Sequence, residues 1–214
     1  MTETAGRKIL LIGGGGHCHS VADAALSIYS GIGIVEKDAA RRESFMGIHI
    51  AGTDDDLPRL FSEGWKEAFI TVGSTGDASI RRRLFEKVKS LGFRVPAIVD
   101  PSAAVARDAE IKEGAFVGKR AVVNSGCVIG QCAIVNTGVI VEHDCAVGDF
   151  SHVSPGAVLC GEVSVGNDTH IGAGSVVRQG LTVGGRTMIG MGSVVVKDIP
   201  GNVRAWGNPC RVVD

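Results

Sequence analysis

The residues best suited to proton transfer in this sequence are two histidines nine residues apart, His143 and His152, and the aspartate that follows the first, Asp144. An imidazole takes up and releases a proton near neutral pH. A carboxylate beside it can hold the ring in one tautomer and raise its basicity, which is what a general base needs. The alternatives are a surface histidine in a polar loop and a solvated aspartate in a turn. The surrounding chain decides where these side chains point.

The chain around the histidines has a hydrophobic period of six residues. From Val105 to Val195 every sixth residue is Val, Ile or Leu, and the residue two positions earlier is mostly small. Such a hexapeptide period is typical of a parallel β-helix, in which each unit makes one short strand and one corner. Three units close one triangular coil, so the sequence predicts about five coils with the aliphatic column inside.

The phase of the repeat places both histidines off the interior. His143 follows the inward Val141 by two residues, and His152 precedes the inward Val153 by one. They lie in adjacent units, hence on different sides of the triangle, and diverge from each other. A neighbouring subunit that supplied the facing wall would let both approach one ligand. Four aliphatic residues are also predicted to face outward and to need cover: Ile134, Ile140, Val158 and Val176.

Residues one coil apart stack about 4.8 Å from each other. This spacing places Gly161 beside His143, where a glycine leaves its N–H open to a ligand. It also stacks His170 on His152. Gly161 could instead be a corner glycine without a ligand. The stack of His152 and His170 could instead be a metal site.

The first half of the chain follows a different pattern. Strand-like and helix-like segments alternate, which predicts a small Rossmann-like parallel α/β sheet in residues 1–100. The pattern breaks around Pro101, so the β-helix and a short C-terminal tail are expected in residues 101–214.

The N-terminal segment IGGGGHCHSVADAAL indicates a strand, a glycine turn and a helix start, and amides in such a turn attract phosphate. Cys18 and His19 stand where a dinucleotide fingerprint needs glycine, so NAD(P) binding is disfavoured. His17 and His19 are too close on a helix start to share a metal ion easily. Gly73 and Ser74 follow a later strand and are expected at the same sheet edge, where ligands of α/β sheets bind.

The composition excludes several partners. Lys and Arg number 22 against 23 Asp and Glu, so the net charge of -1 favours neither nucleic acid nor an anionic membrane. The N-terminus has neither a signal-peptide pattern nor a membrane-spanning helix pattern. The six cysteines form no CxxC pair and no zinc-ligand spacing, which predicts reduced thiols in a cytoplasmic chain. Cys145 stacks one coil above Cys127, so packing explains it better than catalysis.

Four features together resemble the sialic acid O-acetyltransferase group: the IGGGGH start, the hexapeptide repeat, the EHDCAVGDFSHVSPGA segment and the GNPCRVV tail. That group includes bacterial nucleotide-aminosugar N-acetyltransferases of the UDP-4-amino-sugar and GDP-perosamine types. The resemblance covers nearly the whole chain. It implies a small N-terminal nucleotide-sugar domain, a left-handed β-helix, and a homotrimer with active sites between subunits.

The resemblance also implies roles for single residues. Those implied to bind substrate are Gly13, Gly15, Gly16, His17, Glu36, Lys37, Gly73, Ser74 and His152. The glycine loop and His17 would hold the diphosphate of a nucleotide-linked sugar. Glu36 would meet the nucleoside, although Lys37 replaces an acid that is common there and Asp38 follows it. Residues implied to bind acetyl-CoA are Gly161, through its amide on the thioester carbonyl, and Ala173 and Met191, along the pantetheine.

We therefore expect transfer of acetyl from acetyl-CoA to the amino group of a nucleotide-linked aminosugar. His143, oriented by Asp144, would accept the amine proton during direct attack on the thioester, with no acyl-enzyme and no metal. Three alternatives remain: a sialic acid O-acetyltransferase, a metal-dependent hydratase, and a non-catalytic trimer that binds nucleotide sugars. Carbonic anhydrases with hexapeptide repeats use two histidines five residues apart, which this chain lacks. The nucleotide, the position of the amine and the acyl chain length stay open.

Overall fold

The structure is a computed structural model that describes residues 6–37 and 46–213. Its contacts divide the chain into two compact units. The first comprises Met1–Gly73 and Ser79–Ile98, and the second comprises Ser74–Ala78 and Val99–Asp214. The short segment Ser74–Ala78 therefore belongs to the second unit, although the chain on both sides of it belongs to the first. Within the described residues, no helix has the length and apolar character needed to span a membrane.

The first unit contains a four-stranded parallel sheet, as the alternating pattern predicts. Its strands are β1 (Lys8–Ile12), β2 (Gly31–Val35), β3 (Ile50–Gly52) and β4 (Glu67–Ile70), in the order β3-β2-β1-β4. Its helices are α1 (Gly16–Ala25), α2 (Leu57–Ser62) and α3 (Ser79–Ser90), with a 3-10 turn at Asp54–Asp56. The apolar run of the central β1 is buried from Ile9 to Ile12 because neighbours cover it on both sides. Since the strands are parallel, the loops after β1, β2 and β4 meet at one sheet edge.

The second unit is built from two-residue strands separated by tight corners. The strands are β5 (Ile98–Val99), β6 (Ala104–Val105), β7 (Glu110–Ile111), β8 (Phe116–Val117), β9 (Val122–Val123), β10 (Val128–Ile129), β11 (Ile134–Val135), β12 (Ile140–Val141), β13 (Ala146–Val147), β14 (His152–Val153), β15 (Val158–Leu159), β16 (Ser164–Val165), β17 (His170–Ile171), β18 (Val176–Val177), β19 (Thr182–Val183), β20 (Met188–Ile189) and β21 (Val194–Val195). A C-terminal hairpin of β22 (Arg204–Gly207) and β23 (Cys210–Val212) follows.

Each strand from β8 to β21 pairs in parallel with the strand three positions before it in the chain. This pairing closes the chain into a three-sided coil. Ile140 pairs with Val158 and His152 with His170, each a shift of one complete coil. The three resulting sheets have five, six and eight strands. The fold class predicted from the sequence, an α/β unit followed by a left-handed parallel β-helix, is confirmed.

The inside of the coil is filled by the two predicted columns. The aliphatic column is buried from Val117 to Val195, and Val105 and Ile111 in the first coil pack against it. Hydroxyls in the column of small residues are satisfied by carbonyls of the next coil, as where Ser151 Oγ donates to Gly166 O at 2.7 Å. The hairpin closes the end of the core with Ala205 and Cys210.

One outward residue was predicted wrongly. Ile134 was expected to be exposed and to need cover, but only 3% of it is accessible within the chain itself. Val176, in contrast, is exposed, and Ile140 and Val158 are half-buried.

Candidate active site

His143 and Asp144 form a hydrogen-bonded pair at an exposed corner after β12. Nδ1 of His143 lies 2.9 Å from Oδ2 of Asp144. This hydrogen bond, aided by the nearby charges of Asp144, Glu142 and Glu162, raises the pKa of His143 above its ordinary value. Because Nδ1–H donates to the carboxylate, the unprotonated atom of the neutral ring is Nε2. The pair thus presents a proton acceptor to solvent.

Asp144 reaches His143 because of a glycine in the preceding coil. Its backbone is in the left-handed region, with φ 58°. A β-carbon on Gly126 would collide with Oδ1 of Asp144, so only glycine leaves room for this carboxylate. Gly126 was not among the residues predicted for the site. Its spacing of one coil from Asp144 was the available signal.

Gly161 lies against the imidazole, as the one-coil spacing predicts. A β-carbon at this residue would fall 2.5 Å from Nε2 of His143. The coil ladder uses the Gly161 carbonyl, which accepts from Gly180 N–H at 2.9 Å, and the amide of the next residue, Glu162, which donates to His143 O at 2.9 Å. Among the described residues no backbone carbonyl accepts from the Gly161 amide. An N–H donor beside a base suits a reaction in which a carbonyl oxygen gains negative charge.

His152 lies on the neighbouring sheet and is held on both ring nitrogens. Nδ1 is 2.9 Å from the carbonyl oxygen of Ser74, and Nε2 is 3.1 Å from Nδ2 of Asn136. The ring also meets His170 edge to face, with centroids 5.1 Å apart, which confirms the predicted stacking. Neither Asn136 nor the Ser74 carbonyl was anticipated as a partner, because both contacts depend on side-chain and loop geometry.

The described part of the chain, residues 6–37 and 46–213, holds no cluster of three or more His, Cys, Asp or Glu side chains arranged for a metal ion. Nε2 of His170 lies 3.3 Å from the Ser154 hydroxyl. Within hydrogen-bond distance of the two rings lie the Ser74 carbonyl, the Asn136 amide and the Ser154 hydroxyl.

The glycine loop of the first unit joins β1 to α1. Gly13 has φ +107°, and a β-carbon there would lie 2.6 Å from Val72. Gly14 N–H donates to Oε2 of Glu36 at 2.7 Å, so Glu36 shapes the loop itself. At Gly15, which precedes the first turn of α1, and at Gly16, an added β-carbon would meet nothing within 4 Å. Both residues lie at a helix start with open space where a side chain would stand, which leaves their backbone accessible to an anion.

The other predicted residues of this loop region lie as follows. His17 is in the first turn of α1, and a β-carbon on Gly73 would contact His17 Cβ at 3.4 Å. Lys37 is exposed directly after Glu36, while Asp38 lies outside the described residues. Ser74 was expected at this same sheet edge, but it belongs to the second unit, where its carbonyl binds His152.

Ala173 and Met191 occupy the same corner of successive coils. The carbonyl of Ala173 accepts from Gly192 N–H at 2.8 Å, and both side chains are exposed, Met191 to 82%. An exposed row of this kind can take an extended ligand along the coil axis.

Two cysteines near the base, Cys127 and Cys145, are buried and poorly suited to nucleophilic attack. Cys145 Sγ donates to the Cys160 carbonyl at 3.1 Å, and burial raises the pKa of this thiol to about 12. Burial also raises the pKa of Cys127. Thiols that stay protonated at neutral pH attack poorly.

The chain is similar to several known proteins. The family described as PglD N-terminal domain matches residues 8–88. A variant of perosamine N-acetyltransferase from Caulobacter crescentus, solved with CoA and GDP-perosamine, is 34% identical with a TM-score of 0.91, over 98% of each chain. The acetyltransferase domain of PglB from Neisseria gonorrhoeae, solved with acetyl coenzyme A, is 37% identical with a TM-score of 0.90, over 98% of this chain and 100% of that one.

WeeI from Acinetobacter baumannii shares the fold, with 20% identity, a TM-score of 0.77, and coverage of 97% of this chain and 100% of that one. A comparison with the curated proteins gives no match.

Proposed function

The chain belongs to the hexapeptide-repeat N-acetyltransferases of nucleotide-linked aminosugars, and we propose that His143 is the base of its reaction, with Asp144 orienting the ring. The enzyme is an acetyl-CoA-dependent acetyltransferase. The observation that carries the proposal is the exposed Nε2 of His143, which has a carboxylate behind the ring and the Gly161 backbone in front of it.

The reaction follows from this geometry. The amino nitrogen of the sugar attacks the thioester carbonyl carbon of acetyl-CoA, and its proton moves to Nε2 of His143. The Gly161 N–H stabilises the negative charge on the carbonyl oxygen. Collapse of the intermediate breaks the carbon–sulfur bond, and the CoA sulfur leaves with the proton that His143 returns. Products are the acetamido sugar and CoA, and no acyl-enzyme forms.

The acceptor is proposed to bind through the first unit. The Gly15 and Gly16 amides, with Gly13 shaping the turn, would meet the diphosphate, and His17 would border it. Glu36, Lys37 and Gly73 would surround the nucleoside end, with Ser74 beside them in the chain. Support comes from the match of residues 8–88 to the PglD N-terminal domain and from the GDP-perosamine bound to the Caulobacter relative.

Acetyl-CoA is proposed to lie along the exposed corner row of Ala173 and Met191, with its thioester at Gly161. The support is the exposure of this row and the CoA or acetyl-CoA present in the two relatives.

A homotrimer is proposed to complete the site, because His143 lies at an exposed corner after β12, whereas His152 lies on β14 in a different sheet. Light scattering after gel filtration should give three times the chain mass. A monomer at micromolar concentration would exclude a site shared between subunits. Cytoplasmic location is proposed from the use of acetyl-CoA and from six free thiols, and cell fractionation tests it.

The test of the reaction is release of free thiol from acetyl-CoA against UDP-, GDP- and dTDP-linked 4-amino and 3-amino sugars, with free sialic acid included. Release with one nucleotide-linked aminosugar is the expected result. Release with sialic acid alone would move the assignment to O-acetylation.

A further inference from the structure

Asp108 lies two coils before the proposed base, in the same stack of corners. The corner after β6 contains Asp108, the corner after β9 contains Ser125 and Gly126, and the corner after β12 contains His143 and Asp144. Strands β6, β9 and β12 are neighbours in one parallel sheet, so these three corners follow one another in successive coils. A contact made by the first corner can therefore be passed to the third.

The Asp108 carboxylate accepts two hydrogen bonds from the next corner. Its Oδ2 accepts the Ser125 hydroxyl at 2.7 Å and the Gly126 N–H at 3.2 Å. The Ser125 hydroxyl, together with the Asp108 and Gly126 amides, holds the pKa of Asp108 below its ordinary value, so the carboxylate is ionised at neutral pH. Hydrogen bonds to an ionised acceptor are stronger than those between neutral groups. Asp108 thus restrains the corner of Ser125 and Gly126.

At this corner the Asp108 side chain replaces a backbone hydrogen bond of the later coils. The N–H of Asp144 donates to the Ser125 carbonyl of the corner before it, at 2.9 Å. The same bond recurs one coil later, where the N–H of Glu162 donates to the corner before it at 2.9 Å. The N–H at the matching position of the earlier coil, Gly126, donates to the carboxylate of Asp108. Asp108 therefore anchors the beginning of the ladder that carries the proposed base.

The corner of Ser125 and Gly126 holds Asp144 in two ways. Its Ser125 carbonyl accepts the Asp144 N–H, and Gly126, with φ +72°, leaves the space in which Oδ1 of Asp144 lies. The other oxygen of that carboxylate, Oδ2, lies 2.9 Å from Nδ1 of His143. A shift of this corner would therefore move the Asp144 carboxylate relative to the imidazole.

We propose that Asp108 is a positioning residue for the base: its carboxylate fixes the corner of Ser125 and Gly126, and that corner holds Asp144 against His143. Asp108 acts through the intervening corner and takes no part in the proton transfer itself. The effect on catalysis rests on the proposed function, since it requires His143 to be the base. The effect on the imidazole of His143 does not.

The coupling is tested by NMR titration of His143 in the full chain, with His143→Ala used to assign the signal. Asp144, Glu142 and Glu162 all raise the pKa of this ring, and Asp144 contributes most through its hydrogen bond. Asp108→Ala should lower the pKa of His143 toward its ordinary value of 6.5, because Asp144 is held less firmly. Asp108→Asn keeps an acceptor for the next corner and should leave this pKa near that of wild type. No shift in Asp108→Ala, or an equal shift in both variants, would overturn the proposal.

The consequence for the reaction is tested by the pH profile of kcat/KM. Asp108→Ala should lower kcat/KM about tenfold, the scale of one hydrogen bond to a charged group, and should move the rising limb to lower pH. Asp108→Asn should stay within about threefold of wild type. Asp198→Ala is the matched control, because Asp198 also accepts a backbone N–H of the β-helix, that of Thr182 at 2.8 Å. It should keep both kcat/KM and the limb, and an equal loss in this control would mean that Asp108 only stabilises the coil.

A double variant shows whether Asp108 acts through Asp144. In the Asp144→Ala background, Asp108→Ala should change kcat/KM by less than about twofold, and a further tenfold loss would overturn the proposal. Thermal unfolding of each variant identifies any loss that comes from a destabilised fold. Wild type that releases no thiol with any nucleotide-linked aminosugar would refute the proposed function, while the titration of His143 would still decide whether Asp108 positions the ring.

Discussion

A β-carbon added to Gly161 would point at the imidazole of His143 and would lie 2.5 Å from Nε2. Real β-carbons do not approach other atoms this closely, so residue 161 must be glycine for the ring to keep its place. The same closeness puts a backbone amide beside Nε2, the atom proposed to accept the proton.

Gly161→Ala should therefore impair chemistry while leaving the fold intact. Its backbone is outside the left-handed region, so alanine is tolerated, but the methyl group displaces the ring. We expect kcat to fall about a hundredfold, the lower end of what a positioned general base contributes. Steady-state thiol release measures it. In the His143→Ala background the same change should cost little more, and an additive loss would separate Gly161 from the base.

Asp144→Asn should move the pH dependence of the rate. Asp144 raises the pKa of His143, and the base works only when unprotonated, so activity rises with pH through that raised pKa. The amide can still accept from Nδ1 but carries no charge. The rising limb should shift to lower pH, toward 6.5, and the plateau should fall because the imidazole is less basic. A limb that stays in place in a profile of kcat/KM would contradict the pairing.

Glu36→Ala should weaken acceptor binding alone. The carboxylate accepts the Gly14 amide at 2.7 Å and thereby holds the glycine loop. Its loss should raise KM for the nucleotide-linked aminosugar about tenfold, with KM for acetyl-CoA unchanged. Glu36→Gln, which retains an acceptor, is the matched control and should show a smaller effect. Equal changes in both KM values would indicate a general structural defect.

Cys145→Ala should retain kcat within about threefold, because a buried thiol with a pKa of about 12 supplies no thiolate at neutral pH. Cys160→Ala, at the half-buried neighbour, is the comparison. Wild type mixed with acetyl-CoA alone should give no burst of thiol. An acetylated cysteine in the intact-mass spectrum would replace direct transfer with an acyl-enzyme.

Much of the fold could be predicted because it repeats. The aliphatic column from Val117 to Val195 fixes which residues point inward, and adding one coil to His143 gives Gly161 without any knowledge of side-chain geometry. The six-residue period predicts the positions of residues within the repeat and of no others.

Some contacts could not be predicted from the sequence. They form where the chain leaves the repeat, or where a side-chain rotamer determines which groups meet. Ser74 belongs to the second unit, although it is distant from the β-helix in sequence, and Asn136 contacts His152 through its side-chain amide. Ile134 occupies an outward position and is nevertheless covered. No pattern in the sequence encodes these placements, because they depend on how non-repeating segments lie on the coil.

The most direct test of the account is thiol release from acetyl-CoA with the accepted nucleotide aminosugar, comparing wild type with His143→Ala at saturating substrates. We expect kcat to fall by about 10²–10⁴-fold, the contribution of a positioned general base, while CoA binding measured by calorimetry stays unchanged. A variant that keeps the wild-type rate would show that His143 is not the base and would remove the basis of the proposed mechanism.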